Sequence, residues 1–339
     1  MSVSPKVSVS PKVSVSPKVL PQIVLTGSVA IDRIMVFPGK FVEVIQPDKL
    51  HILSVSVLLD ELRETRGGVA ANIAYNLGLL EQKSVLLAAV GDNARDYMTD
   101  LSILGVNIDY LHYSQFKTAS FSVITDQNDC QVGGFYPGAM SEASGLSLKP
   151  WQDLKALVVI SPHDPTQMSR QVKECQKFGL RMLYDVGQQV SNLDQLDLRA
   201  GVDAAELLIL NDYELGVLIQ KTGWSQTEIL KKVKLLLVTL GEQGVKILQS
   251  GGGGSLSENE KLVAAVKIKK VVDPTGAGDA FRAGFLYGYV RKWDIVKSAQ
   301  LGCVVASFAV QQHGTQEHKF NKNKIRERYD ETYGKKIVF

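Results

Sequence analysis

An α/β fold with a central, mostly parallel β-sheet is predicted by three features of the sequence. Short apolar runs alternate with helical patterns through the second half of the chain, and strands joined by helices run parallel. Polar or glycine-containing segments follow several of these runs directly. The length of 339 residues suits about two domains, or one large α/β domain with an inserted subdomain.

The first half of the chain predicts strands, two helices and a hairpin. A short strand ends in Thr26-Gly27-Ser28, and the strand Ala30–Phe37 carries Asp32 among apolar residues. A half-buried carboxylate in such a strand needs partners. The remaining elements are a helix from Val69 to Leu80 behind Gly67-Gly68, a strand Ser84–Val90, a helix Arg95–Leu104, and a hairpin of Ser120–Thr125 with Gln131–Tyr136.

The second half predicts the alternation itself. Its strands are Leu157–Ile160, Arg181–Tyr184, Leu207–Leu210 and Leu235–Thr239, and its helices are Thr166–Phe178, Tyr213–Lys221 and Thr227–Lys232. Two further strands, Val245–Leu248 and Leu262–Ile268, flank a glycine run at residues 251–255 that resembles an engineered linker or a natural hairpin loop. Two small-residue-rich helices follow, Ala277–Lys292 and Ser298–Gln312.

Composition and charge exclude several classes of protein. With 45% hydrophobic and 22% charged residues the chain resembles an average globular protein, and no apolar run is long enough for a membrane span. The net charge of +3 argues against a broad nucleic-acid footprint. Three widely spaced cysteines without a CxxC pair predict isolated core thiols in a reducing, cytoplasmic compartment.

The first 20 residues form a low-complexity tail that repeats SVSPKV three times. Proline every six residues blocks helix and sheet pairing alike, so we expect a solvated, disordered or extended tail. A Ser-Pro-Lys repeat that touches an acidic partner or a nucleic-acid backbone is the alternative.

The sharpest motif is Asp273-Pro274-Thr275-Gly276-Ala277-Gly278-Asp279, between a strand and a helix. Glycines allow close approach of backbone N–H groups, and a helix N-terminus favours negative charge, so the segment predicts a phosphoryl-binding anion hole. Asp279 then lies beside the anion, where a carboxylate makes sense as a base that takes a hydroxyl proton. The alternative is an acidic residue that only stabilises the helix dipole.

Two further segments follow predicted strands, at the edge where α/β sheets bind ligands. Asn211 and Glu214 lie three apart and suit a hydrated Mg²⁺, although Asn and Glu at this spacing also form an ordinary capping box. The segment Thr239-Leu240-Gly241-Glu242-Gln243-Gly244 suits nucleotide phosphates or a plain tight turn. The sequence lacks a Walker A motif, the HRD and DFG motifs of protein kinases, and a Rossmann GxGxxG after the first strand.

These segments together resemble the ribokinase-like (PfkB) family of small-molecule kinases, over about residues 22–317. Within the family the chain looks most like bacterial adenosine kinases of the actinobacterial type. The stretches that carry the resemblance are Thr26-Gly27-Ser28 with Asp32, Phe37-Pro38-Gly39, Arg66 to Ala70, Phe135 to Ala143, Asn211 to Glu214, Lys221 to Ser225, and Asp273 to Phe285.

The resemblance implies ATP-dependent phosphorylation of the adenosine 5′-hydroxyl, with Asp279 as the catalytic base. It implies an anion hole, a nucleoside site and an ATP site, with Mg²⁺ acting through Glu214 and water. The anion hole is Gly276, Ala277 and Gly278; the nucleoside site is Ser28, Asp32, Ser56, Gly68, Asn72, Phe121 and Phe135; the ATP site is Asn211, Thr239, Leu240, Gly241, Glu242, Gln243, Gly244 and Gly278. From the residues alone, Phe121 and Phe135 suit core aromatics equally well, and Asn72 suits an exposed helix position.

The family architecture implies a three-layer α/β/α sandwich with a small β-sheet lid. Residues 21–335 would form the kinase domain, with the lid drawn from about residues 33–66 and 116–137. Closure of the lid would exclude water and prevent hydrolysis of ATP. The resemblance also implies a homodimer through the lid and a monovalent cation such as K⁺ near the anion hole, where the loop of His313, Gly314 and Thr315 is a candidate.

Three other functions stay open at this point. A related kinase of this family acting on another nucleoside or a sugar is the nearest. A non-catalytic nucleoside-binding regulator would have no need of the base Asp279. A nucleic-acid binder would depend on the tail, and neither a nucleic-acid nor a membrane partner is expected.

Overall fold

A computed structural model describes residues 23–250 and 260–339 of the chain. The described strands, numbered in chain order, are β1 (Ile23–Thr26), β2 (Ala30–Val36), β3 (Glu61–Gly67), β4 (Ser84–Leu87), β5 (Ala89–Gly91), β6 (Val106–Asn107), β7 (His112–Ser114), β8 (Ala119–Thr125), β9 (Gln131–Tyr136), β10 (Leu157–Ile160), β11 (Arg181–Tyr184), β12 (Leu207–Asn211), β13 (Leu235–Thr239), β14 (Val245–Gln249) and β15 (Glu260–Val263).

The structure describes ten α-helices. They are α1 (Phe41–Val44), α2 (Val69–Leu79), α3 (Arg95–Ile103), α4 (Pro165–Phe178), α5 (Gln195–Ala204), α6 (Asp212–Thr222), α7 (Gln226–Lys232), α8 (Ala277–Val290), α9 (Ile295–Ala309) and α10 (Lys322–Tyr333). No helix in the described ranges is long and apolar enough to cross a membrane.

The large sheet joins nine of the described strands in the order β15-β14-β13-β12-β11-β10-β1-β4-β6. All its pairs are parallel except β13–β14 and β14–β15. Strands alternate their side chains between faces, so Ile23 and Leu25 join the core under α2, α3, α8 and α9, whereas Val24 joins the core under α4 to α7. This is the three-layer α/β/α sandwich that the sequence predicts.

The small sheet has the strand order β3-β2-β8-β9. Strand β2 pairs antiparallel with β3 and parallel with β8, and β8 pairs antiparallel with β9. It is drawn from the two chain segments from which the family resemblance implies a lid. Its strands carry many exposed or half-buried side chains, in contrast to the central strands of the large sheet.

Several predicted elements differ from the structure. Residues 84–90, expected as one strand, divide into β4 in the large sheet and β5, which pairs with β7. Strand β15 ends at Val263, earlier than expected. Strand β3 was not predicted, because its ELRETRG sequence has mostly exposed side chains and little apolar alternation, and the polar helices α5 and α10 were not predicted either.

The expectation of three core thiols was wrong at one position. Cys175 and Cys303 are buried in the helical layers, but Cys130 is exposed in the turn between β8 and β9. The predicted N-terminal tail and the glycine run at residues 251–255 lie outside the described residues.

Candidate active site

A cleft of about 430 Å³ lies at the carboxyl edge of the large sheet, where β11, β12 and β13 end opposite the N-terminus of α8. Polar residues that follow these strands line it, as α/β topology places ligands at this edge. The lining comprises Val69, Pro162, Asp185, Gly187, Gln188, Asn211, Asp212, Tyr213, Glu214, Thr239, Gly241, Gly278, Asp279 and Arg282. Residues predicted for phosphate binding and for catalysis therefore share one cleft.

The helix α8 begins at this cleft with a left-handed glycine. Gly276 has φ of 79°, and a Cβ there would lie 3.0 Å from Thr315, so glycine is required both for the turn and for the close approach. The Ala277 amide donates to the Pro274 carbonyl at 3.2 Å. First-turn N–H groups of a helix are a ready site for an anion.

Asp279, in the first turn of α8, is held by a hydrogen bond from another helix. Asn72 Nδ2 donates to Asp279 Oδ2 at 2.8 Å. The side-chain oxygen of Asn72 accepts from Gln316 Nε2 at 2.8 Å and lies 2.8 Å from Thr315 Oγ1. Asn72 is buried, which excludes the alternative of an exposed helix position. Its amide is thus oriented by two neighbours and directed at the carboxylate.

The charge of Asp279 is set by opposing neighbours. Burial raises its pKa, while Arg282 and the hydrogen bond from Asn72 lower it, and Glu214 raises it further. Arg282 Nη1 lies 3.7 Å from Asp279 Oδ1, and Arg282 Nη2 lies 2.6 Å from Asp185 Oδ1. The result is a buried cluster of two carboxylates around one guanidinium.

Asn211 and Glu214 form the capping box that the sequence left open as the alternative. Asn211 Oδ1 accepts from the Glu214 amide at 2.7 Å, and Glu214 Oε2 accepts from the Asn211 amide at 2.8 Å. Both residues nevertheless line the cleft. A capping role and a ligand role are compatible, because each side chain retains further acceptor or donor capacity.

Only part of the segment 239–244 lines the cleft, and Glu242 and Gln243 are exposed. Thr239 and Gly241 line the cleft, whereas Leu240, Glu242, Gln243 and Gly244 are not among its lining residues. A Cβ at Gly244 would lie 2.0 Å from the Val263 carbonyl oxygen, and its φ is 102°. Gly244 is therefore explained by the turn and by packing against β15.

Three predicted nucleoside-site residues form a row across the small sheet. Asp32 on β2 is in register with Phe121 on β8, and Phe121 is in register with Phe135 on β9. Paired residues share a face, so the carboxylate and both rings lie on the same side of the sheet. Phe121 and Phe135 are 39% and 53% exposed, which is too open for the alternative of core aromatics.

The glycine pair before α2 permits close contacts within the small sheet and with the segment that joins β1 to β2. A Cβ at Gly67 would lie 2.4 Å from Asp32 Oδ2, and one at Gly68 would lie 2.6 Å from the backbone of residues 28–30. The Gly67 carbonyl accepts from the Tyr97 hydroxyl, which in turn accepts from Gln316 Nε2. Since Gln316 also binds Asn72, a short hydrogen-bonded path links the surroundings of Asp32 to those of Asp279.

The two predicted serines have different surroundings. Ser28 Oγ accepts from the Val69 amide at 3.0 Å and so stabilises the N-terminus of α2, while its hydroxyl hydrogen stays available to a second acceptor. Ser56 is exposed in the irregular segment between residues 53 and 60. The structure does not bring Ser56 into the cleft at the sheet edge.

Burial also raises the pKa of Asp32, to about 6. A partly buried carboxylate with a raised pKa favours binding of hydrogen-bond donors such as hydroxyl groups.

Asp185 and Arg282 are cleft residues that the sequence analysis missed. Asp185 directly follows β11, as Asn211 closes β12 and Thr239 closes β13, so its position after a parallel strand was an available signal. Arg282 follows Asp279 by three residues on one helix and therefore shares its face. An arginine within an otherwise small and apolar helical run was the second signal.

The cleft suits a hydrated divalent cation better than a fully protein-coordinated one. Among the described residues, no group of three or more His, Cys, Asp or Glu side chains is arranged to hold a metal ion. Asp185 Oδ2 is buried without a hydrogen-bond partner in the described part of the chain, and Glu214 lies close enough to raise the pKa of Asp185. Carboxylate oxygens beside a phosphate site fit Mg²⁺, which keeps several waters and takes few protein ligands.

Comparison with known proteins places the chain in a family. Residues 26–322 match the pfkB family carbohydrate kinases. The structure of a Burkholderia thailandensis nucleoside kinase in complex with inosine is similar, with a TM-score of 0.80 and 30% identity over 93% of this chain and 99% of that one. The same kinase in complex with ADP-inosine gives a TM-score of 0.78 and 31% identity, covering 93% and 97% of the two chains.

A curated relative points the same way. The nucleoside kinase of Methanocaldococcus jannaschii is 29% identical over 282 residues, which are 82% of this chain and 89% of that protein. These relatives are nucleoside kinases of an archaeon and a Burkholderia species, so they do not show the narrower likeness to actinobacterial adenosine kinases. They do confirm the predicted ribokinase-like fold, and with the match over residues 26–322 the chain belongs to the PfkB family of carbohydrate kinases.

Proposed function

We propose that this protein transfers the γ-phosphoryl group of ATP to the 5′-hydroxyl of a purine nucleoside, with adenosine, which gives AMP and ADP, as its substrate. The observation that carries the proposal is the hydrogen bond from Asn72 to Asp279. Asn72 is also linked through Gln316, Tyr97 and the Gly67 carbonyl to the surroundings of Asp32, so the bond connects these surroundings with the cleft that begins at α8. An acceptor alcohol and a phosphoryl donor can therefore meet at one carboxylate.

In this mechanism Asp279 accepts the proton of the nucleoside hydroxyl as the phosphoryl group arrives in line. The N–H groups at the start of α8, at Gly276 to Gly278, stabilise the charge on the transferred group. Asp32 and Asn72 bind the ribose hydroxyls, because a carboxylate accepts from O–H while an amide both accepts and donates. Phe121 and Phe135 contact the purine ring from the small sheet.

Kinases of this family use ATP, usually with Mg²⁺. We assign the nucleotide to the cleft residues Asn211, Thr239 and Gly241, with Glu214 holding Mg²⁺ through water. The cation would neutralise negative charge on the phosphates of ATP. Asp273 Oδ2 accepts from the Gly314 amide at 3.0 Å. The two loops that this bond joins are our candidate site for a monovalent cation such as K⁺.

The small sheet acts as the lid in this proposal, with the expected bounds of about residues 33–66 and 116–137. Its face opposite Asp32 carries an apolar row in register across four strands: Leu62, Met35, Ile124 and Val132. Leu62 and Val132 are 64% and 54% exposed. An exposed apolar row on a sheet supports a homodimer through the lid, which sedimentation equilibrium would detect as twice the chain mass.

A second candidate substrate is inosine, because the Burkholderia kinase at 30% identity was solved with inosine bound. A sugar is the third, since the family as a whole comprises carbohydrate kinases. A non-catalytic nucleoside-binding regulator is disfavoured by the oriented base in the cleft. The cytoplasm, where ATP and nucleosides meet, is the compartment in which this reaction would run.

An ADP-release assay with adenosine, inosine, guanosine, ribose and fructose tests the function directly. We expect the highest kcat/KM with adenosine. Asp279→Asn should lower kcat by about 10²–10⁴-fold while nucleoside binding, measured by calorimetry, survives. Asp203→Asn, which changes an exposed carboxylate paired with Lys232, is the matched control. Binding of adenosine without turnover of any acceptor would overturn the kinase proposal.

A further inference from the structure

The guanidinium of Arg282 lies between two carboxylates and over the glycine-rich turn. Its Nη2 binds Asp185 Oδ1 at 2.6 Å, and its Nη1 lies 3.7 Å from Asp279 Oδ1. A Cβ at Gly278 would lie 2.8 Å from Nη1, so the absence of a side chain at Gly278 creates the space that the guanidinium fills. The close packing against Gly278 and the salt bridge to Asp185 therefore fix the arginine beside the proposed anion hole.

The salt bridge between Arg282 and Asp185 is buried. Asp185 is fully buried, and Arg282 is 8% exposed at the wall of the cleft. Burial of charged groups costs free energy unless they are paired and hydrogen bonded. Yet Asp185 Oδ2 and Arg282 Nε have no hydrogen-bond partner among the residues that the structure describes. A pair left partly unsatisfied at a cleft wall is a poor source of stability, which points to a role in the chemistry of the cleft.

Asp279 needs its negative charge for the proposed catalysis. As a base it must be ionised, although it is buried and faces the further negative charge of Glu214. The groups that face it are Arg282 on its own helix, Asn72 on α2, Tyr97 on α3, Asp185 after β11 and Glu214 on α6. Arg282 is the cationic side chain among these five, so it offsets part of the negative charge of the carboxylates.

We propose that Arg282, anchored by Asp185, is a positioning residue that keeps the carboxylate of Asp279 charged and directed at the acceptor hydroxyl. The proposal rests on the proposed kinase function and extends it to two residues outside the predicted set. Asp185 acts through Arg282, because its bond holds the guanidinium within reach of Asp279. Burial raises the pKa of Asp279 and Arg282 lowers it, which agrees in sign with this role.

The test is the pH dependence of kcat in Arg282→Met, Arg282→Lys and the double variant Arg282→Met/Asp185→Asn. Loss of a cation about 4 Å from a carboxylate raises its pKa by roughly 1–3 units. We expect the acid limb of the Arg282→Met profile to move up by at least about one unit, with kcat at pH 6 falling roughly tenfold or more. Nucleoside KM should change much less, and Arg282→Lys should restore part of the shift.

The double variant keeps the test valid if Arg282→Met alone fails to fold, because removing both partners of a buried pair is far less destabilising than removing one. Its acid limb should also move up. Arg326→Met, an exposed arginine on α10, should leave the limb in place. A uniform loss of kcat across pH, or an unshifted limb in a folded variant, would overturn the positioning role. Failure of the wild-type protein to phosphorylate any acceptor would instead overturn the kinase function.

Discussion

Asn72 and Asp279 are 207 residues apart in the chain, yet a 2.8 Å hydrogen bond joins them in the first turns of α2 and α8. Asn72 lies one turn after the glycine pair that approaches Asp32, and Asp279 lies in the cleft. The bond fixes the distance between the part of the protein that would bind an alcohol and the part that would bind phosphate.

Replacing Asn72 with alanine should affect both functions of that bond. The amide lowers the pKa of Asp279, so its loss raises that pKa, and the base then stays protonated to higher pH. We expect the acid limb of the kcat profile to move up and the nucleoside KM to rise by up to about tenfold, as for loss of one hydrogen bond between neutral groups. Asn323→Ala, on the exposed face of α10, is the control. An unchanged KM would exclude Asn72 from ribose binding.

Asp32→Asn should stabilise the protein while it weakens substrate binding. The pKa of Asp32 is about 6 in the folded protein, above its unfolded value near 3.9, so folding is disfavoured as pH rises through this interval. Asparagine removes that cost. The free energy of unfolding of the variant should equal that of wild type near pH 4 and exceed it by roughly 1–3 kcal/mol above pH 6.

Urea unfolding at pH 4, 5, 6 and 7 checks this difference, and nucleoside KM should rise in the same variant. Equal stability of the two proteins at every pH would mean that the carboxylate of Asp32 is well solvated in the folded state, contrary to the burial seen here.

The sequence predicted the parts of the site that lie within one continuous motif. Asp279 was a candidate base from the DPTGAGD segment, because glycines, a helix start and a carboxylate are adjacent in the chain. The alternative of a residue that only stabilises the helix dipole stayed open until the family resemblance implied the catalytic role. Asp32 was noticed since a carboxylate in an apolar strand is costly. The register that aligns it with Phe121 and Phe135 depends on pairing between strands far apart in sequence, which periodicity does not specify.

The pair of Asp185 and Arg282 shows why the rest was missed. The two residues are 97 positions apart, so their pairing lies outside any window of the length that predicts a helix or strand. Strand β3 was missed for a related reason, since its exposed and charged sequence becomes a strand only through its pairing with β2. In both cases tertiary contacts determine a feature that local sequence leaves open.

Truncating Phe121 or Phe135 to alanine should raise the KM for the nucleoside and leave the KM for ATP unchanged. Stacking of an aromatic side chain on a base contributes about 1–3 kcal/mol, which corresponds to a roughly 5- to 150-fold loss of affinity. Tyr136→Ala is the matched control, because Tyr136 follows Phe135 on β9 and faces the other side of the sheet. If all three variants lose the same affinity, the rings act by stabilising the small sheet.

Glu214→Gln separates the capping role of this residue from its proposed role at the metal. Glutamine at this position also accepts from the N-cap amide, so the capping box and the thermal stability should persist. The charge is lost, and we expect the Mg²⁺ concentration for half-maximal activity to rise several-fold at fixed ATP. The matched control is Glu228, an exposed residue that forms a second capping box with Ser225 at the start of α7. Glu228→Gln should leave the Mg²⁺ dependence unchanged, and an equal Mg²⁺ response in both variants would assign Glu214 to helix capping alone.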